Sequence, residues 1–311
     1  MKKLTDERFL KKILLIFLCI QPILDCYILY TDEVINFFHF SPTTILRMLI
    51  IAFLFCSLFF NKENKKNRKI IYIYGGLIII YTILHHLITS GVDNSGYPTF
   101  SYSIITELFY IIRMLLPIVI IYLTYLLKPT KDEFIKLFLI VGLITSGIIV
   151  CSNILEISLA SYGGGTIKGN IFDWFFSNKY GSQDLASKGW FNSANQISGL
   201  MFILLPICVY SLFDKITKPR VITIILLVIS MIMLGTRVAS YGWLLIFIMM
   251  IILYLFFALI MKNINFEWKK FLIIFLIMIL SFIPPCHLLK RSEISFCTYL
   301  LYSLNFGRIS L

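Results

Sequence analysis

Long apolar stretches recur along nearly the whole chain, and they constrain the fold more than any other feature of the sequence. A helix that crosses the hydrocarbon core of a bilayer needs about 20 mostly apolar residues. Nine stretches fit this requirement: 13–31, 43–60, 70–89, 104–127, 134–152, 195–213, 220–236, 239–261 and 270–289. Because 59% of the 311 residues are hydrophobic, one soluble core cannot bury this apolar surface. The sequence predicts an all-α polytopic membrane protein with nine transmembrane helices, a single integral membrane domain over 1–311.

Basic residues are distributed unevenly between the segments that join the spans. Nineteen of the 28 lysines and arginines lie on one side, in or beside 1–12, 61–69, 128–133, 214–219 and 262–269. Seven lie on the opposite side. Since cytoplasmic loops carry the excess of Lys and Arg, we expect a cytoplasmic amino terminus and an external carboxyl terminus. This orientation places a loop over 161–194 and a tail over 290–311 outside the cell. The excess of basic residues is then explained by membrane topology, and we predict no nucleic-acid partner.

Several kinds of chemistry find no support in the sequence. The seven cysteines form no Cys-x-x-Cys pair and are interpreted as small hydrophobic residues. The cytoplasmic loops contain neither a P-loop nor a dinucleotide-binding fingerprint. His85 and His86 are adjacent, so on a helix they point about 100° apart, and no further Cys/His spacing typical of a metal site follows. We therefore predict no cofactor and no metal.

Inserting an ionisable side chain into the membrane costs a few kcal/mol. Each such residue within a span is therefore expected to form an ion pair or to have a function. Asp25 and Arg47 lie toward the outer ends of the first and second spans. Arg113 lies roughly 13 Å into the fourth span, at 1.5 Å per residue. Arg47 is close enough to the interface to snorkel to the headgroups. Arg113 either forms an ion pair with Asp25 or Glu107 or lines an anion site. Both arginines are candidate substrate-binding residues by their depth.

A very short turn joins the seventh and eighth spans and contains one arginine. The chain reads Met231-Ile-Met-Leu-Gly-Thr-Arg-Val-Ala-Ser-Tyr-Gly-Trp243, and Gly235 permits the close turn. The guanidinium group of Arg237 has five donors that can bind a phosphate bidentately, as a lysine cannot. Arg237, at the outer interface, is therefore suited to a lipid phosphate.

Two segments resemble the O-antigen ligase and polysaccharide polymerase family. An apolar helix that ends in Gly-Thr-Arg, with small residues and another apolar helix after it, is similar to one motif of that family. Gly189-Trp-Phe-Asn-Ser-Ala-Asn195 resembles its Gly-x-Phe-x-Asn-x-Asn segment. The two matches follow the family's order and lie within 185–260. Because family members continue beyond the point where this chain stops, the resemblance implies a short or C-terminally truncated member.

The resemblance implies an enzyme of the bacterial cytoplasmic (inner) membrane, a glycosyltransferase-type polymerase or ligase for surface polysaccharide. It would transfer a glycan from undecaprenyl diphosphate to a sugar acceptor at the external face, without a metal. Its partners would be the lipid-linked glycan, the glycan acceptor and membrane lipid. Arg237 carries over by its motif as a catalytic residue. The competing hypothesis is a transporter or flippase of an anionic lipid-linked glycan, but such a path needs polar residues through both halves of the bilayer.

The acceptor hydroxyl also needs a base, and the external candidates are His287, Glu293, Asp173, Asp184 and His39. We favour His287, beside Pro284 and Pro285, as the second catalytic residue; the alternative is an ordinary interfacial histidine.

Aromatic and amide side chains of the external loop complete the predicted site. Trp190 and the other loop rings either stack on sugar faces or form an interfacial belt. Trp190 and Asn195 are predicted to bind substrate. As an alternative role, Asn192 and Asn195 could cap the sixth span.

Overall fold

A computed structural model of the chain describes residues 6–26, 42–60, 68–89, 104–176 and 186–256, together with 272, 274–277 and 279. Within these ranges the named elements are all helices: α1 Glu7–Cys19, α2 Gln21–Leu24, α3 Pro42–Phe59, α4 Arg68–Thr89, α5 Ile104–Leu127, α6 Lys131–Ile154, α7 Ile171–Phe176, α8 Ala194–Asp214, α9 Lys218–Leu234 and α10 Arg237–Leu255. Six of them, α3, α4, α5, α6, α8 and α10, are long and apolar enough to cross a membrane. The predicted all-α, multi-pass membrane architecture is confirmed, whereas the number of nine spans and the orientation stay predictions.

The first predicted span differs from expectation. Instead of one helix over 13–31, α1 ends at Cys19 and α2 begins at Gln21. Pro22 lies in the first turn of α2, where its missing N–H leaves no hydrogen bond unmade. A proline at this position favours a new helix start over continuation, so the single helix was wrong in this part. The predicted ninth span, 270–289, lies mostly outside the described residues.

The chain divides into two compact units, one of 1–17 and 33–130 and the other of 18–32 and 131–311. In the first unit α3 packs against α5, and the rings of Phe55 and Tyr122 lie 6.5 Å apart.

The helix α4 belongs to the first unit and contacts α3 at one end. The rings of Phe59 and Tyr72 meet edge to face with centroids 6.0 Å apart. The guanidinium of Arg68 lies 5.3 Å from the centroid of Phe59, a cation–π distance. The apolar window of α4 over 71–89 is otherwise unburied within the described residues.

In the second unit α6, α8, α9 and α10 form a bundle, and α2 packs against α6. A Cβ at Gly242 would lie 2.8 Å from the Phe202 ring, nearer the amino ends of α10 and α8. At their carboxyl ends the Phe213 and Tyr254 rings stack with centroids 4.3 Å apart. The two helices therefore run parallel and lie close together, with α9 returning between them in the chain.

Hydroxyl groups inside the bundle are satisfied within their own helices. Thr145 donates to Val141 O at 2.7 Å, and Ser146 donates to Gly142 O at 2.7 Å. Ser230 donates to Leu227 O at 2.9 Å. Because an unsatisfied polar group is costly in an apolar interior, these bonds to carbonyls three or four residues earlier make small polar residues acceptable there.

Two helices of the bundle also pack closely at Gly142 of α6. A Cβ built on Gly142 would lie 3.1 Å from Leu227 Cδ1 and 3.4 Å from Thr223 Cγ2, both on α9. Gly147, one and a half turns further along α6, has nothing within 4 Å of such a Cβ. The absence of a side chain at Gly142 lets α6 and α9 approach each other.

We predict that Gly142→Leu lowers the free energy of unfolding by about 1–3 kcal/mol, the usual range for overpacked cores. Gly147→Leu is the matched control, because it brings the same gain in helix propensity without the contact. Thermal unfolding in detergent micelles measures both. Equal losses at the two positions would contradict close packing of α6 on α9.

Candidate functional site

The loop between α6 and α8 in the second unit folds into two antiparallel segments, 157–162 and 186–191, here called the loop pair. Leu159 N donates to Gly189 O at 2.8 Å, and Lys188 N donates to Leu159 O at 3.0 Å. Ser161 N donates to Ala186 O at 2.8 Å. These alternating backbone bonds hold the two segments in one register.

Side chains reinforce the loop pair. The buried hydroxyls of Ser158 and Ser187 form a hydrogen bond, and Trp190 Nε1 donates to Ile157 O at 3.2 Å. Gly189 has φ +65°, and a Cβ there would lie 3.0 Å from Ile149 Cγ1 of α6. The loop pair is therefore joined within itself and seated against the end of α6.

The Gly-Thr-Arg turn connects α9 to α10 with two residues between them. Gly235 ends α9 in the left-handed conformation, with φ 65°, which a glycine adopts at little cost. Thr236 is the N-cap of α10, and its hydroxyl oxygen accepts a hydrogen bond from Ala239 N at 3.3 Å. Arg237 is thus the first residue of α10, rather than a residue of a turn that ends at 238.

The loop pair docks directly on this turn. Ser187 N donates to Met233 O at 2.8 Å, and the Tyr162 hydroxyl donates to Gly235 O at 3.1 Å. A Cβ at Gly235 would lie 2.9 Å from Ala186 Cβ, so the two backbones meet with no space for a side chain. The carbonyls of a helix end, which lack partners in the helix, are here satisfied by the loop pair.

Arg237 is exposed at the amino end of α10. A helix carries partial positive charge at this end, so the arginine lies where its own helix repels it. The amino end of the parallel α8 lies at the same end of the bundle, and its N-cap, Ser193, makes no side-chain capping bond. A guanidinium and two helix amino termini together favour a bound anion.

The structure brings three of the predicted site residues to this end of the second unit. Arg237 begins α10, Asn195 is exposed in the first turn of α8, and Trp190 belongs to the loop pair. The indole N–H of Trp190 is already used in its bond to Ile157 O, so only its ring faces are available for a sugar. The alternative capping role of Asn192 and Asn195 was wrong, because Ser193 is the N-cap residue.

The two deep arginines belong to the first unit. Arg47 lies in α3 and is partly buried, and Arg113 is exposed on α5. Glu107, one of the two ion partners considered for Arg113, instead has its Oε1 3.4 Å from His85 Nδ1 of α4. Sequence reasoning missed this contact because it considered His85 only as part of an adjacent pair.

Of the five candidate bases, Asp173 is the one that lies within the described residues. His287, Glu293, Asp184 and His39 lie outside the described residues. Asp173 is described, and its Oδ2 accepts a hydrogen bond from Asn170 N at 2.9 Å, which gives it a structural role at the start of α7. Among the described residues, no group of three or more His, Cys, Asp or Glu side chains could hold a metal ion.

The six helices that are long and apolar enough to cross a membrane define a multi-pass membrane protein. The sequence pattern of the family described as "O-antigen ligase like membrane protein" matches residues 7–295. The chain belongs to this family, as the resemblance of its two motifs implied. Searches of curated proteins and of solved structures found no significant match.

We predict that Gly235→Ala destabilises the protein more than Gly163→Ala. Both glycines have positive φ, 65° and 77°, but a Cβ at Gly163 would have nothing within 4 Å. The shared backbone penalty is roughly 1–2 kcal/mol, and only Gly235→Ala adds a clash with Ala186. Thermal unfolding in detergent and hydrogen exchange of 186–191 measure the difference.

A second substitution tests the cause of that difference. Ala186→Gly removes the methyl group that the new Cβ would meet, so in the Ala186→Gly background the further cost of Gly235→Ala should fall to that of Gly163→Ala. No recovery would show that the contact between the loop pair and the turn does not limit stability.

Proposed function

We propose that this protein is a glycosyltransferase-type polymerase or ligase, which transfers a glycan from undecaprenyl diphosphate to a sugar acceptor at the external face of the bacterial cytoplasmic membrane. The observation that carries the proposal is the exposed Arg237 at the amino end of α10, in a chain of the O-antigen ligase-like family. Family membership indicates a membrane glycan ligase or polymerase. The positive charge of the arginine favours binding of an anionic lipid substrate.

In the proposed reaction the acceptor hydroxyl oxygen attacks the anomeric carbon of the donor sugar. A new carbon–oxygen bond forms to the acceptor, and the bond from the anomeric carbon to the diphosphate oxygen breaks. Undecaprenyl diphosphate leaves with the bonding electron pair, and the proton of the hydroxyl passes to a base. Negative charge grows on the leaving diphosphate as its bond breaks, so cations fixed beforehand lower the barrier.

Arg237 suits this role because of where it is fixed. Its backbone is held by the capped start of α10 and by a turn whose carbonyls bond to the loop pair. Little reorganisation is then needed when charge develops, which is the condition for strong electrostatic stabilisation. The guanidinium offers two parallel donors to phosphate oxygens, and a bound diphosphate would offset its repulsion from the helix end.

The other predicted residues take supporting roles in the proposal. Asn195 and the ring of Trp190 would contact sugar at the same end of the second unit. Arg47 and Arg113, on α3 and α5 of the first unit, are kept as candidate substrate-binding residues by their depth in the predicted spans. His287 is proposed as the base that accepts the proton of the acceptor hydroxyl.

Arg237→Ala is expected to lower the rate of glycan transfer by about 10²–10³-fold, the usual effect of removing one charge-stabilising donor. Arg237→Lys should retain part of the rate, because it keeps the charge but loses bidentate geometry. The assay incubates purified protein with an undecaprenyl-diphosphate-linked oligosaccharide, with and without a sugar acceptor. Longer lipid-linked glycans identify a polymerase, and transfer to the added acceptor identifies a ligase.

Lys218→Ala is the matched control, since this exposed lysine begins α9 at the opposite end of the same bundle. It removes one positive charge from the second unit without altering the turn. Equal activity of Arg237→Ala and the wild type would refute the proposal. If the lipid-linked glycan crossed the membrane of proteoliposomes and no transfer product formed, the protein would instead be a transporter.

A further inference from the structure

We propose that Tyr162 is a positioning residue for Arg237, acting through the hydrogen bond from its hydroxyl group to Gly235 O. This inference rests on the proposed function and adds a residue from the distant loop to the site. Neither family motif contains Tyr162. It precedes the bonded glycine by 73 positions, so no local pattern connects the two residues.

The bond joins two groups that are both well held. Gly235 O closes α9, and the Tyr162 hydroxyl approaches it to 3.1 Å. The neighbouring Ser161 N donates to Ala186 O at 2.8 Å, which ties the segment before the tyrosine to the rest of the loop pair. Ala186 in turn faces the position where Gly235 would carry a Cβ, 2.9 Å away. The backbone on either side of this hydrogen bond is therefore held in place by the loop pair.

The effect on Arg237 passes through one capping residue. The carbonyl of Gly235 belongs to the peptide plane that continues into Thr236, whose hydroxyl caps α10 by accepting from Ala239 N. Fixing the carbonyl fixes that plane, because the peptide unit is rigid. Arg237 follows directly, so the direction in which its side chain leaves the helix depends on the orientation of this plane.

Tyr162 does not resemble a residue kept for packing alone. Its side chain is 50% exposed, while its hydroxyl points to the turn. Replacing it by phenylalanine removes one hydrogen bond and leaves the ring in place. The variant should therefore affect the geometry of the turn more than the stability of the fold.

The test is a double-mutant cycle with Tyr162→Phe and Arg237→Lys in the full-length protein. Tyr162→Phe alone is expected to lower kcat by up to about tenfold because Arg237 is less well placed for the transition state, while the melting temperature in detergent falls by only about 2–4 °C, the shift that one net hydrogen bond corresponds to. In the Arg237→Lys background, Tyr162→Phe should lower kcat by less than about twofold, because the effects of residues that act together are not additive. Tyr125→Phe, which removes the hydroxyl of an exposed tyrosine in the first unit, is the control and should match the wild type.

A second readout does not require turnover. Undecaprenyl diphosphate, added without sugar, should raise the melting temperature of the wild type, and Tyr162→Phe and Arg237→Lys should reduce this rise without adding to each other. The positioning role would be overturned if the effects of the two substitutions were additive. It would also be overturned if Tyr162→Phe matched the wild type while Arg237→Lys did not. Either result would leave the proposed function standing. Failure of Arg237→Ala to differ from the wild type in either readout would refute the proposed function, and the positioning role with it.

Discussion

Met233 and Gly235 present backbone carbonyls where α9 ends, and residues of the loop pair donate to both. A helix end leaves its last carbonyls without partners, and near a membrane that deficit is costly unless water or protein satisfies it. Here the loop between α6 and α8 donates hydrogen bonds to these carbonyls. The same bonds fix the position of the loop on the bundle. Together with the left-handed Gly235 and the Thr236 cap, these two hydrogen bonds hold the turn and the start of α10, where Arg237 lies.

The glycines near this site have different functions. Gly235 needs both a left-handed backbone and an empty side, since Ala186 occupies the space that a Cβ would take. Gly189 combines a positive φ with close contact to Ile149, which seats the loop pair on α6. At Gly163 the positive φ occurs in open space, so conformation alone accounts for it. The Gly-rich character of the region therefore reflects two close contacts as well as turn formation.

The sequence predicted the helices well because a spanning helix is a local, contiguous signal. It failed at 13–31, where a new helix begins at Gln21 with Pro22 in its first turn within a mostly apolar run. Arg237 could be selected as a candidate for the same reason, since Gly, Thr and Arg are consecutive. Its support from Tyr162 and Ser187 was not visible, because such bonds join residues dozens of positions apart. The contact between His85 and Glu107 was missed likewise, since it joins two helices.

Serine and threonine hydroxyls within α4, α5, α6 and α9 donate to carbonyls of the same helix, at Thr82, Thr124, Thr145 and Thr223 among others. These bonds depend on no neighbouring helix, so each segment already satisfies those hydroxyls when it is alone in lipid. Insertion during synthesis and later association of the helices are then separable steps. These hydroxyl groups, unlike the His85–Glu107 contact between two helices, do not oblige the helices to associate before they leave the translocation machinery.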